Sequence, residues 1–208
     1  MSEIMSMSKL EAVNEMLYDI GERPVSTING TARLDVIRAE ATLDRVTREV
    51  CASGWWFNRE ERTLTVDGSG QYLVASNIVS IDEFEGLGTS QPVNATTGSP
   101  ANFVVRTISG TRKLINTVDQ VSTGYTDDLT VHVVVLLTFE QLPALVRHYI
   151  YAKASSDNAL RAIGATELLT ALQQKSGILL AQLKAEEISQ QDFRTWNSPR
   201  HWQLNWNR

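Results

Sequence analysis

The chain has 208 residues, of which 42% are hydrophobic and 21% are charged. This composition is typical of one ordinary folded domain or two small ones, and it excludes a disordered or collagen-like protein. The 19 basic and 24 acidic residues give a formal charge of -5, which argues against tight binding to exposed nucleic acid.

Two helices are predicted in the first quarter of the chain. Apolar residues three and four apart predict a helix over residues 9–20, which Gly21 and Pro24 end. A second helix is predicted to begin near Thr31, which can cap its first turn, and to end at Ser53 and Gly54. This helix has a single apolar stripe, formed by Val36, Ala39, Leu43, Val46 and Val50.

The middle of the chain, from Trp55 to about Phe139, changes to short β-branched runs separated by Gly, Ser, Thr and Asn. The predicted strands are Thr63 to Val66, Tyr72 to Val74, Ile78 to Asp82, Phe103 to Ile108, Lys113 to Ile115 and Leu129 to Leu137. Because helical patterns flank this region, we expect a small antiparallel β-domain inserted between helices.

Helical periodicity returns at Pro143 and continues to Gly164. A fourth helix is predicted to begin at Thr166, with an apolar face formed by Leu169, Leu172, Leu179, Leu180 and Leu183. The predicted fold class is therefore α+β: a bundle of about four helices with an inserted small antiparallel β-domain and an extended C-terminal tail. The predicted boundaries are 1–54 and 140–192 for the two halves of the bundle, 55–139 for the β-rich insert and 193–208 for the tail.

The last fifteen residues hold three of the five tryptophans and three arginines, and they hold no acidic residue. Tryptophan and arginine are the side chains that most often anchor protein interfaces. The sequence therefore predicts a docking tail. Its candidate partner-binding residues are Trp196, Arg200, Trp202, Trp206 and Arg208.

No catalytic residue, cofactor site or metal site is predicted. The three histidines, His132, His148 and His201, do not lie at metal-ligand spacing, and Cys51 is the only cysteine. A single thiol excludes a disulfide framework and indicates a reducing compartment. With no signal sequence and no long apolar span in view, we expect no membrane anchor.

Two alternative functions stay open from the residues alone. The acidic clusters Asp82-Glu83-Phe84-Glu85 and Asp127-Asp128 are the only support for a glycan hydrolase acting on cell wall or capsule, which needs paired carboxylates. A helical nucleic-acid-binding protein is the second alternative. It would depend on the arginines of the second helix and on the aromatic, basic tail.

Three motifs resemble the opening of the tail tubular protein A family, the head-to-tail adaptors of short-tailed bacteriophages. They are the helix Leu10-Glu11-Ala12-Val13-Asn14, the linker Ile20-Gly21-Glu22-Arg23-Pro24-Val25-Ser26-Thr27 and the exit Gly54-Trp55-Trp56-Phe57-Asn58. The segment from Tyr149 to Ser155 is similar to the second helical segment of that family.

The resemblance implies a structural virion protein and not an enzyme. It implies a homo-oligomeric ring, a dodecamer in this family, that sits beneath the portal protein and contacts the tail nozzle protein, tubular protein B. Phage DNA would pass through the lumen of the ring without specific binding. The implied location is the upper tail tube of the virion, after assembly in the host cytoplasm.

Overall fold

The computed structural model of the chain describes residues 6–30, 33–84, 103–162 and 166–197. These residues form two compact units. One unit, Met1–Val50 with Leu137–Arg208, is called the helical unit here, and the other, Cys51–Leu136, is called the β unit. Four helices and small antiparallel sheets confirm the predicted α+β class.

The helical unit contains α1 (Lys9–Asp19), most of α2 (Leu34–Ala52), a 3-10 helix (Phe139–Gln141), α3 (Ala144–Ala162) and α4 (Thr166–Asn197). Helix α3 is central because it packs against both α1 and α4. The predicted apolar stripe of α2 is confirmed, since all five of its residues are buried. Helix α1 begins at a capping box, in which the Ser8 side chain and the Glu11 side chain each bond the other residue's backbone N–H.

Helix α4 extends further than the sequence predicts. It continues to Asn197, so residues 193–197 are helical and not part of an extended tail. Residues 198–208 lie outside the described residues. With 32 residues, α4 is about 48 Å long at 1.5 Å per residue.

The β unit contains a three-stranded antiparallel sheet in the order β1-β5-β2 and a two-stranded sheet of β3 and β4. The bounds are β1 Arg59–Leu64, β2 Ile78–Phe84, β3 Phe103–Ile108, β4 Thr111–Asn116 and β5 Leu129–Val135. Strand β5 is the central strand. Its Leu129, Val131 and Val133 are buried at alternate positions, as the pleat requires.

Two strand predictions were wrong. The strand predicted at Thr63 to Val66 is in fact β1, which begins at Arg59 and ends at Leu64. An edge strand with one solvent-facing side accommodates charged residues, so the charged residues at its first four positions do not show the apolar pattern by which a strand is predicted. The segment Tyr72 to Val74 is not a regular strand, since Tyr72 and Leu73 form only isolated bridges to Val66 and Lys113.

Candidate functional site

The predicted docking tail is only partly placed by the structure. Trp196 lies in the last turn of α4. Arg200, Trp202, Trp206 and Arg208 lie outside the described residues. The tail therefore follows directly from a long helix, and the surface of that helix is the described part of the site.

Helix α4 has a packed face and an opposite, exposed apolar face. Of the five predicted leucines, Leu172 and Leu183 are buried on the packed face, and the other three are half-buried. On the other side lie four exposed apolar residues spaced three, four and three apart, which places them on one stripe of the helix. We call this the α4 outer stripe; it consists of Ile178, Ala181, Ala185 and Ile188.

The outer stripe is an unusual surface for a single helical unit. Ile178 and Ile188 are 62% and 60% exposed, although isoleucine is among the residues most often buried. Spacing of three and four residues is the pattern with which one helix packs against another. Sequence reasoning overlooked this stripe because it considered only the leucines of α4, although the spacing is visible in the sequence.

Contacts between the first two family motifs hold the linker against α1. The Asn14 amide donates from Nδ2 to the Val25 carbonyl at 2.9 Å, and its Oδ1 accepts from the Val25 N–H at 2.8 Å. Arg33 adds a hydrogen bond to the Arg23 carbonyl at 2.8 Å and an ion pair with Glu22 at 3.0 Å. These contacts fix the path of the linker between the first two helices.

The third family motif, the exit from Gly54 to Asn58, shapes the start of the β unit. Gly54 has a φ of +68°, and a Cβ there would lie 3.0 Å from Val134 Cγ2. Glycine is favoured here because it tolerates the left-handed region and the close approach. Asn58 is fully buried, and its Nδ2 donates to the carbonyls of Cys51 and Val135 at 2.8 Å each.

Helix α3 carries polar anchors for the rest of the helical unit. Arg147 donates to the Leu142 carbonyl at 2.7 Å and to Ser6 Oγ at 2.6 Å. The Tyr151 and Ser155 hydroxyls both donate to the Asp19 carboxylate. Burial raises the pKa of Tyr151, and the neighbouring Asp19 charge raises it further. Tyr151 and Ser155, which belong to the family-like segment from Tyr149 to Ser155, therefore join α3 to the end of α1.

Ion pairs lie along α2 as well. Lys9 of α1 contacts Glu40 and Asp44 at 2.9 Å each. Partial burial opposes the charge of Lys9, but the hydrogen bonds to these two carboxylates outweigh it and raise the lysine pKa. Arg45 bonds Asp157 of α3 at 2.6 Å, which ties α2 to α3.

The residues considered for catalysis occupy structural positions. His132 lies in β5, His148 in α3, and Cys51 is fully buried. Asp127 accepts a hydrogen bond from the Thr126 hydroxyl, and Asp128 accepts one from the Val66 N–H at 3.2 Å, so these carboxylates stabilise their own loop.

The structure describes only part of the first acidic cluster, and it does not describe His201. Asp82, Glu83 and Phe84 end strand β2, whereas Glu85 and His201 lie outside the described residues. Over the described ranges, no group of three His, Cys, Asp or Glu side chains is arranged to hold a metal ion. In the same ranges, no helix has both the length and the apolarity needed to cross a membrane.

The described surfaces are built for packing and attachment. They consist of a bundle with an exposed apolar stripe, a linker and an exit fixed by backbone hydrogen bonds, and a helix that leads into an aromatic tail. A search of curated proteins finds no match to the chain. The family model described as tail tubular protein matches residues 10–193, which is most of the chain. The chain therefore belongs to the tail tubular protein family and is a structural protein of the bacteriophage tail.

Proposed function

We propose that this chain is the subunit of a head-to-tail adaptor ring, which connects the portal protein to the tail nozzle protein and forms part of the channel for DNA ejection. The observation that carries the proposal is the α4 outer stripe in a member of the tail tubular protein family. A structural protein that works as a single subunit has no use for such a stripe. A ring subunit needs a surface of this kind on each neighbour-facing side.

The outer stripe supplies a physical reason for ring contacts between copies. Burying an isoleucine side chain completely is worth about 1.5–3 kcal/mol, so covering Ile178 and Ile188, which are both more than half exposed, would contribute roughly 2–4 kcal/mol per contact. Each contact alone is weak. A closed ring repeats the contact at every subunit, and a portal that positions the copies lowers the cost of association further.

The C-terminal residues are the proposed portal attachment. Trp196 lies in the last turn of α4, and the sequence continues beyond the helix with Arg200, Trp202, Trp206 and Arg208. No acidic residue is present among the last fifteen. Tryptophan and arginine contribute most to interface affinity when they enter pockets of a partner. Replacing the three tryptophans by alanine is expected to leave the fold intact and to weaken portal attachment. Unchanged attachment would contradict this role.

The net negative charge of the chain supports the proposed passage of DNA through the ring. The chain carries a formal charge of -5. Repulsion between acidic residues and the phosphate backbone gives the duplex no favourable resting position, which suits a channel through which DNA slides. The nozzle protein would then bind the opposite end of the ring from the portal.

The experiment that tests the ring contact places charge on the outer stripe. The double variant I178E/I188E is expected to keep its helical circular dichroism and to form no ring with the portal. The matched control Q173E/Q182E adds the same charge at exposed polar positions of α4 and is expected to assemble normally. Normal assembly of I178E/I188E would refute the proposed contact.

A further inference from the structure

A groove lined by arginines lies in the helical unit between α2 and the C-terminal part of α3. Its volume is about 520 Å³. The side chains that determine its chemistry are Arg38, Arg45, Arg48, Asp35, Asn158 and Arg161. The lining holds four guanidinium groups and one carboxylate; because Asp157 and Glu49 pair with Arg45, the excess positive charge of the groove comes from Arg38, Arg48 and Arg161.

Most of that positive charge is uncompensated. Arg45 is paired with Asp157 and Glu49. Arg38, Arg48 and Arg161, in contrast, form no ion pair with any residue within the described ranges. These three side chains are exposed, so water reduces their mutual repulsion, and an anion bound between them would reduce it further. Guanidinium groups bind carboxylates in a bidentate manner, so carboxylates fit the groove well.

A buried amide in the groove also lacks a partner. Asn158 is only 4% exposed and lines the groove, and its Nδ2 has no acceptor among the described residues. A buried donor without an acceptor costs free energy. An oxygen atom held by the surrounding arginines would supply the missing acceptor. The site is therefore suited to an anionic group that enters the groove.

The surroundings favour a protein over a nucleic acid as the partner. Leu34 and Ile37, one helical turn before Arg38 and Ala41 on α2, are 55% and 48% exposed. Arginines beside exposed apolar side chains are typical of protein interfaces. A DNA duplex presents only phosphates and sugars at its rim, and it would leave Leu34 and Ile37 without apolar contacts.

Complementary acidic charge is present on the same chain. The β unit contains five basic and nine acidic residues, so it carries -4 of the total formal charge of -5. Asp127 and Asp128 are adjacent and exposed there. Their loop is anchored because the Tyr72 hydroxyl donates to the Asp127 carbonyl at 2.6 Å. A second copy of the chain can therefore offer two carboxylates that are already held in place.

We propose that the arginine groove of one copy binds the Asp127–Asp128 pair of a second copy. The groove and the acidic pair consist of different residues in different units of the chain, so the contact is heterologous and can join neighbours around a ring. The inference rests on the proposed function only in placing this contact within a ring. Contact between the two copies is testable without a ring.

The test uses a variant that keeps the charge of the groove. R48K replaces an exposed guanidinium by an amine that a carbodiimide can couple to a carboxylate in direct contact with it. Equal amounts of ¹⁵N-labelled and unlabelled R48K protein are mixed, coupled and analysed by mass spectrometry. We expect mixed-isotope peptide pairs that join position 48 to Asp127 or Asp128. Wild-type protein, with arginine at this position, should yield none.

A matched pair of second substitutions shows whether the groove itself is responsible. R161E in the R48K background reverses the charge of another groove residue and should lower the coupling yield about tenfold or more. K184E makes the same charge change at an exposed position of α4 and should leave the yield unchanged. Equal yields in the two double variants would overturn the inference.

Other outcomes are equally decisive. Mixed-isotope coupling of position 48 only to carboxylates other than Asp127 and Asp128, no mixed-isotope product, or loss of that product in the presence of a short DNA duplex would each overturn the assignment of the groove. If the chain forms a ring on the portal but shows no such coupling, the adaptor function is supported and the groove contact is refuted. If the chain shows the coupling but does not bind the portal, the groove contact is supported and the adaptor function is refuted.

Discussion

Asn58 gives the most sharply defined stability prediction, because its side chain is fully buried in the β unit and joins two distant backbone segments. Its Nδ2 donates at 2.8 Å both to Cys51, near the end of α2, and to Val135, at the end of β5. Replacing Asn58 by alanine removes both donors and gives the two carbonyls no new partner.

The expected loss can be worked from these contacts. The Cys51 carbonyl also accepts from the Gly54 N–H at 3.1 Å and keeps that partner in the variant, so loss of its bond to Asn58 costs about 1 kcal/mol. The Val135 carbonyl loses its side-chain donor in a buried setting, which costs roughly 1–3 kcal/mol. Alanine also removes the Asn58 Oδ1, a buried acceptor that has no partner among the described residues, and this offsets about 1 kcal/mol of the loss. N58A should therefore lower the free energy of unfolding by about 1–3 kcal/mol, compared with the ~5–15 kcal/mol typical of folded domains. N58D should cost more, because it buries a charge and places an oxygen against both carbonyls.

Equilibrium unfolding in urea, followed by far-UV circular dichroism, measures these differences. Asn77 is an exposed asparagine of the same unit and provides the control. N77A is expected to stay within about 0.5 kcal/mol of the wild type. An N58A protein as stable as N77A would refute the reasoning, because the two buried hydrogen bonds would then contribute nothing.

Three further predictions concern local features. G54A should destabilise the protein by at least about 1 kcal/mol more than G21A, since both glycines have positive φ but only at Gly54 does an added Cβ approach Val134; unfolding midpoints compare them, and equal losses would count against the close approach. S8A should cost about 1 kcal/mol and fray α1, which amide hydrogen exchange detects; unchanged protection would show that the capping box is dispensable. Burial, with a smaller contribution from neighbouring groups, raises the pKa of Tyr72 to about 12, so its contribution to stability is complete below pH 10 and is lost as the pH rises through 12. Absorbance at 295 nm with parallel unfolding tests this, and a Tyr72 that titrates near pH 10 in the folded protein would contradict it.

The helices were predictable because their apolar spacing is local. Helix α1 lies at Lys9–Asp19 against a predicted 9–20, and α3 lies at Ala144–Ala162 against a pattern from Pro143 to Gly164. Strand β1 was harder to predict. Its Arg59-Glu60-Glu61-Arg62 run looks like a surface loop until it pairs with β5, and such pairing is not visible in a local pattern.

One part of the candidate functional surface was likewise predictable from local sequence, and another part was not. The α4 outer stripe follows from spacing alone and could have been found in the sequence. The arginine groove could not, because Arg48 of α2 and Arg161 of α3 are brought together only when the two helices pack. From the sequence, the arginines of α2 were indistinguishable from the ordinary charged face of a bundle helix.

The measurement that tests the central claim most directly is the mass of the purified protein, alone and mixed with its portal protein, by light scattering with negative-stain imaging of any large species. The adaptor account predicts a closed ring, either alone or on the portal, and loss of that ring in I178E/I188E. A wild-type chain that stays monomeric and ignores the portal would contradict the account.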